Sequence, residues 1–173
     1  GMCQCQEAEM KRREEEEKRQ QRITRFNMSI ENALIGERYR KCRFDTAVIT
    51  KANHSAFEKC RNYATNYREV LRQNIGLYIY GDNSSGKTYL TACLCNELLW
   101  NGAECIYTNL ASILAEIRSS YDGNGMGECR LLRQLQRYDF AFIDDLGKEF
   151  LGREFNAASS KWAEEKLFEV LNA

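Results

Sequence analysis

Apolar positions are sparse at the start of this chain and dense after residue 26, and the change separates a lead-in from a core. Between Met10 and Ile23 there is no apolar residue. Residues 6–25 therefore read as a solvent-exposed helix or an unfolded lead-in, not as part of a core. Glu14–Lys18 and Glu15–Arg19 stand four apart in the order that supports a helix. Residues 26–43 carry Ile30, Leu34, Ile35 and Tyr39 and predict a short helix. Residues 54–72 predict a long one, with Phe57, Tyr63, Tyr67, Val70 and Leu71 inward and His54 as a polar residue at its entry.

From residue 76 the rhythm alternates between strands and helices. Residues 76–80, Gly-Leu-Tyr-Ile-Tyr, predict a short buried strand. Leu90, Leu94 and Leu98 form a four-residue stripe over 89–100, the mark of a helix packed on a sheet, and Asn101-Gly102 supplies a stop. Residues 103–109 predict a second strand and 110–121 a helix with Leu110, Ile113, Leu114 and Ile117 inward. A glycine-rich loop at 122–127 leads to a helix over 128–138, with Leu131, Leu132 and Leu135 inward and Arg130, Arg133 and Arg137 on its polar side. Residues 140–143 are wholly apolar, as expected of a strand buried on both faces. This alternation predicts an α/β fold with a parallel sheet and flanking crossover helices.

Two of the predicted joints carry chemistry. Gly81-Asp82-Asn83-Ser84-Ser85-Gly86-Lys87-Thr88 matches the phosphate-loop pattern G-x-x-x-x-G-K-[ST] at every fixed position, between the predicted strand and the predicted helix. The glycines permit backbone turns that point successive N–H groups at phosphate oxygens. Lys87 suits the β/γ-phosphates and the Thr88 hydroxyl suits Mg²⁺, while Asn83, Ser84, Ser85 and Tyr89 complete the candidate nucleotide-binding segment. The helix N-terminus adds partial positive charge beneath an anion. At the second joint, Asp144 and Asp145 end the apolar strand, on the sheet edge where ligands bind in open α/β folds. Asp144 suits a metal and Asp145 suits the orientation or deprotonation of an attacking water. The competing reading is a turn before Gly147. Asp139 precedes the strand and reads as a helix-ending or solvent-facing residue.

Composition narrows the classes. The 173 residues, 43% hydrophobic, suffice for one globular domain. Lys and Arg number 25, as do Asp and Glu, so no global basic field argues for nucleic acid. No apolar stretch is long enough for a membrane span and the polar, charged start carries no secretory signal. Eight cysteines, several at predicted core positions, fit a reducing cytoplasm better than a disulfide scaffold. Cys93 and Cys95 point to different faces of a helix and make no metal pair. Cys3-Gln4-Cys5 lacks the further ligands that a zinc site needs, and two free thiols is the simpler reading.

These segments together resemble the DnaC/DnaI-type replicative helicase loaders, a branch of the AAA+ ATPases, and the transposase helper IstB is similar in the same core. The resemblance runs from Cys3-Gln4-Cys5 through Tyr39-Arg40-Lys41-Cys42-Arg43-Phe44, Cys60-Arg61-Asn62-Tyr63-Ala64 and Gly76-Leu77-Tyr78-Ile79-Tyr80 to residues 162–168. It implies a P-loop NTPase of AAA+ type over 28–173 behind a charged lead-in at 1–27. It also implies ATP or ADP with Mg²⁺, a homo-oligomer formed with ATP, and two partners, a replicative helicase hexamer and single-stranded DNA. Lys87 matches the Walker A lysine, Thr88 the magnesium-side hydroxyl, Asp144 the Walker B metal acid and Asp145 the second acid, where many AAA+ proteins carry Glu. Arg118, Tyr121, Arg130 and Arg133 are the local candidates for single-stranded DNA contact.

The family continues into a strand ending in a polar sensor residue, and then to an arginine finger, whereas this chain stops at Ala173. In the AAA+ sheet order that strand lies between the Walker A and Walker B strands. The resemblance therefore implies a C-terminally truncated core with a central gap in its sheet and weak or absent ATPase. The leading expectation is helicase loading switched by ATP binding and slow hydrolysis. The alternatives are a transposase-helper ATPase and a partner-binding protein whose nucleotide is not hydrolysed. A small-molecule kinase expects an arginine-rich lid and an acceptor site that these residues do not supply.

Overall fold

The computed structural model describes residues 4–120 and 133–146. Helix α1 (Gln4–Asn32) opens the chain. The charged lead-in is thus helical, and it is continuous with the first part of the segment expected to form a separate short helix. Residues 6–22 are exposed throughout, as a helix without an apolar stripe must be. Its ion pairs among the described residues are Glu9–Arg13 at 2.8 Å and Glu16–Arg19 at 3.9 Å, not the expected Glu14–Lys18 and Glu15–Arg19. Exposed pairs gain so little that partners exchange at small cost. Docking begins at Arg22, whose guanidinium lies 4.4 Å from the centre of the Trp100 ring. Arg25 donates to the Gly102 carbonyl at 2.7 Å, and Phe26 meets Trp100 edge to face.

Past Asn32 the helical spacing lapses. Leu34, one of the apolar residues of the expected short helix, has φ +58° and is exposed, while Ala33 and Ile35 on either side are buried. A short 3-10 turn (Glu37–Tyr39) follows. The helix expected over 54–72 is two, α2 (His54–Thr65) and α3 (Tyr67–Arg72). The break is at Asn66, whose backbone leaves the helical region (φ −102°, ψ 23°) and whose N–H and side-chain amide both donate to the Asn62 carbonyl, at 3.0 and 2.9 Å, closing the end of α2. Cys60, Ala64 and Val70 are buried, and Phe57, Tyr63 and Tyr67 are partly buried against the core.

The rest of the described fold is α4 (Lys87–Asn101), β1 (Cys105–Asn109), α5 (Leu110–Ser120) and β2 (Phe140–Asp144). Gly102 ends α4 in the left-handed region, φ +94°, with its N–H on the Leu98 and Leu99 carbonyls. β1 and β2 pair in parallel, from Cys105 opposite Phe140 to Asn109 opposite Asp144, with α5 in the connection between them. The register is clasped at its start by Asp139, which is exposed, as expected, and also has a structural part. Its N–H donates to the Glu104 carbonyl at 2.8 Å, and its Oδ2 accepts the Glu104 N–H at 2.9 Å. Tyr107 N–H donates to the Ala33 carbonyl at 2.7 Å and ties β1 to the end of α1.

The core closes around α4. The predicted stripe of Leu90, Leu94 and Leu98 is buried, and so are Ala92, Cys93, Cys95, Asn96 and Leu99, so the helix is enclosed on most of its circumference. Cys42, Cys60, Cys93, Cys95 and Cys105 are free thiols buried in this core. Burial pushes Cys60 up to about 11 and Cys93 up to about 12, so both stay protonated and pack as small apolar groups. Asn96 is the polar exception. Its Nδ2 donates to the carbonyls of Tyr39 at 2.8 Å and Cys42 at 2.9 Å, which staples the 39–42 segment onto α4.

Residues 76–80, expected as a strand, are not part of a sheet. Among the described residues no backbone hydrogen bond joins them to a neighbouring segment. Tyr78 and Tyr80 stack on each other at 5.9 Å and are 70% and 81% exposed. Between this segment and β2 lies an open cleft of about 1070 Å³ lined by both. A strand needs an adjacent edge to pair with, and here the cleft takes the place of that edge. The same opening leaves Ala141 exposed and the rest of β2 half-buried, where burial on both faces was expected. No helix among the described residues is long and apolar enough to cross a membrane.

Replacing Asn96 by Ala takes its donor from the buried Cys42 carbonyl and leaves the Tyr39 carbonyl with the Cys42 N–H alone, at 3.1 Å. Urea unfolding of Asn96→Ala should show a loss of about 2 kcal/mol, and a loss within error of zero would show that the staple is dispensable.

Candidate functional site

The loop at 81–88 is shaped by its own backbone chemistry. Gly81 has φ +152° and Gly86 has φ +87°, with Ser84 also left-handed at +62°. At Gly86 a Cβ would meet nothing within 4 Å, so it is the conformation and not the space that asks for glycine there. Gly86 is the N-cap of α4 and offers no side-chain cap. The first intrahelical bond runs from Leu90 N–H to the Gly86 carbonyl at 2.9 Å. The N–H groups of Lys87, Thr88 and Tyr89 come before it, in the turn where helix geometry supplies no acceptor. This cluster of uncapped donors at a helix N-terminus suits an anion and fits the phosphates of a nucleotide.

Lys87 is half-buried, and its Nζ donates to the carbonyls of Gly81 at 2.9 Å and Asp82 at 2.7 Å. The ammonium is therefore held across the mouth of the loop by weak, neutral acceptors. Thr91 Oγ1 closes back on the Lys87 carbonyl at 2.9 Å and stiffens the first turn. Thr88 and Tyr89 are half-buried, and Tyr89 also packs against the core.

Asp144 and Asp145 face this loop across the cleft from the C-terminal end of β2. Gly81, Asn83, Ser84, Ser85, Gly86, Lys87, Thr88, Tyr89, Asp144 and Asp145 all line that one cleft. Asp145 is exposed, with φ +58°. Its N–H donates to Asp144 Oδ1 at 2.9 Å. The other carboxylate oxygen, Oδ2, accepts the Tyr107 hydroxyl at 2.9 Å. Each oxygen of Asp144 thus has a donor and keeps further lone pairs, a donor set that fits a hard divalent cation.

Tyr107 was not among the candidate site residues read from the sequence. It lies opposite Phe142 in the register, and the two rings stack at 5.9 Å and 8°. Asp144 is two residues beyond Phe142, on the same face of β2, which brings it within diagonal reach of the tyrosine hydroxyl. Burial, and then the charge of Asp144, push the Tyr107 phenol well above the ordinary tyrosine range, so it donates and does not ionise. The signal lay in the pair of strands: a tyrosine on one and an acid on the other, readable together only once the register is known.

Of the residues proposed to touch single-stranded DNA, Arg118 is exposed in the last turn of α5 and Arg133 is exposed before β2. Tyr121 and Arg130 lie outside the described residues. Among the described residues no group of three or more His, Cys, Asp or Glu is arranged to hold a metal by itself.

No protein-family model matches the chain. Among curated proteins it is similar to the replicative helicase loader DnaC of Escherichia coli strain K12, 28% identical over 131 residues, covering 75% of this chain and 52% of that protein. The DnaC of Buchnera aphidicola subsp. Baizongia pistaciae is 28% identical over 121 residues, 69% of this chain and 48% of that protein. The uncharacterized protein YdaV of E. coli is 28% identical over 141 residues, 81% of this chain and 55% of that protein. The resemblance to DnaC-type loaders is therefore distant and extends over most of the chain. The chain spans about half the length of the curated relatives it matches.

A Cβ at Gly86 has room but not the right backbone. Gly86→Ala should cost about 1–2 kcal/mol of stability in thermal or urea unfolding, and an unchanged midpoint would contradict the left-handed assignment.

Proposed function

We propose that this chain is the ATP-binding core of a replicative helicase loader, a P-loop ATPase of AAA+ type over residues 28–173 with residues 1–27 as a charged lead-in. The observation that carries this reading is the meeting, in one cleft, of an uncapped glycine-loop helix and a strand-end acid. Similarity to proteins named as helicase loaders supports the biological part of it.

In this reading ATP or ADP sits along residues 81–89. Lys87 leaves the Gly81 and Asp82 carbonyls for the β/γ-phosphates, an exchange of neutral acceptors for charged ones that favours binding. Backbone N–H groups at the start of α4 take the remaining phosphate oxygens. Thr88 and Asp144 hold Mg²⁺, which supplies neutralisation of phosphate charge when bound. Asp145, exposed at the end of β2, orients the attacking water. Catalysis of this kind is positioning plus charge stabilisation, and hydrolysis that is slow compared with binding suits a switch. The states with and without nucleotide would differ in how the chain assembles with further copies, with a helicase hexamer and with single-stranded DNA. Arg118, Tyr121, Arg130 and Arg133 are proposed for the DNA contact.

Titration calorimetry with ATP and ADP in the presence of Mg²⁺ tests the site. The chain should bind, and a folded Lys87→Ala variant should lose at least tenfold in affinity, about 1.4 kcal/mol. Absence of binding by the folded parent chain would remove the nucleotide reading. Co-sedimentation with a replicative helicase hexamer, with and without ATP, tests the loader reading separately.

A further inference from the structure

We propose that Tyr107 is a positioning residue that presets Asp144 for the divalent cation. The proposal rests on the reading of the cleft as a nucleotide and magnesium site. It goes beyond that reading by giving a role to a side chain from the neighbouring strand.

The geometry is a two-point clamp. A carboxylate at a strand end turns about its own side-chain bonds unless both of its oxygens are engaged. Here the Tyr107 hydroxyl donates to Oδ2 and the Asp145 N–H donates to Oδ1, each at 2.9 Å. Neither donor is free to wander. The Asp145 N–H is main chain. The Tyr107 ring is stacked on Phe142 across the pair of strands, in a register that Asp139 clasps from the other end of β2. Tyr107 is half-buried and its backbone is tied to Ala33, so the hydroxyl is delivered from a fixed point. Partners of this kind behind a ligating carboxylate fix its orientation, and their loss typically weakens metal affinity or activity about 10–100-fold.

A purely structural tyrosine–aspartate bond would affect folding and ATP binding alike. A positioning role affects only the part of the affinity that depends on the cation and on Asp144. The experiment is therefore a fluorescent-ATP titration with Mg²⁺ and, separately, with chelator. It compares the parent chain, Tyr107→Phe, Asp144→Asn and the double variant, with circular dichroism melts confirming that each is folded. Tyr107→Phe keeps the ring on Phe142 and removes only the hydroxyl. It should reduce the Mg²⁺-dependent gain in affinity by about tenfold or more, leave the chelator value unchanged, and add nothing in the Asp144→Asn background. If Tyr107→Phe keeps the full gain while Asp144→Asn loses it, the positioning role is wrong and the nucleotide site stands. An equal loss with chelator would also overturn it. A parent chain that binds no ATP overturns both readings, and one that binds ATP but gains nothing from Mg²⁺ overturns this proposal and leaves the nucleotide site standing. Should Tyr107→Phe fail to fold, Phe142→Leu unseats the ring and should show the same selective loss, and an unchanged gain there counts against the proposal.

Discussion

Helix α4 carries small or apolar side chains around most of its circumference, so it escapes water only when other elements close on it from several sides. α1 meets it through Phe26 and Trp100, and the sheet meets it where Cys95 touches Cys105. The segment before α2 is stapled to it by Asn96. This enclosure fixes the helix in place and, with it, the glycine loop, because Gly86 is both the last residue of the loop and the cap of the helix. A loop on an exposed helix would carry the same sequence without a fixed direction.

The opposite wall of the cleft depends on the register of two short strands. A shift of one residue in β2 would turn Asp144 to the other face of the sheet. Asp139 resists such a shift by holding the Glu104 peptide with both its backbone and its side chain. The charges are arranged to be usable. Lys87 rests on neutral carbonyls, while both oxygens of Asp144 are held by donors that fix its direction.

Among the described residues the apolar segment at 76–80 pairs with no strand, and the cleft lies open beside it. Its stacked tyrosines face solvent, and its backbone lacks the ladder that its composition suits. Strand propensity describes what a segment does once an edge is beside it, and cannot create the edge. The loop that follows keeps its shape here because its own turns and the buried helix hold it.

The local shape of the glycine loop and the helix after it was legible from the sequence alone. The spacing of Gly81, Gly86, Lys87 and Thr88 specifies a left-handed turn into a helix, and the helix forms there because Leu90, Leu94 and Leu98 demand burial. The acids after Phe140 were readable as a strand end for the same reason. Only the tertiary structure decided which strands pair, that Asn66 splits a predicted helix, that Leu34 turns outward, and that Tyr107 reaches Asp144. Each of these depends on groups far apart in the chain or on a local competition of about 1 kcal/mol. Periodicity records which side of an element is apolar. It does not record which element will arrive to cover that side.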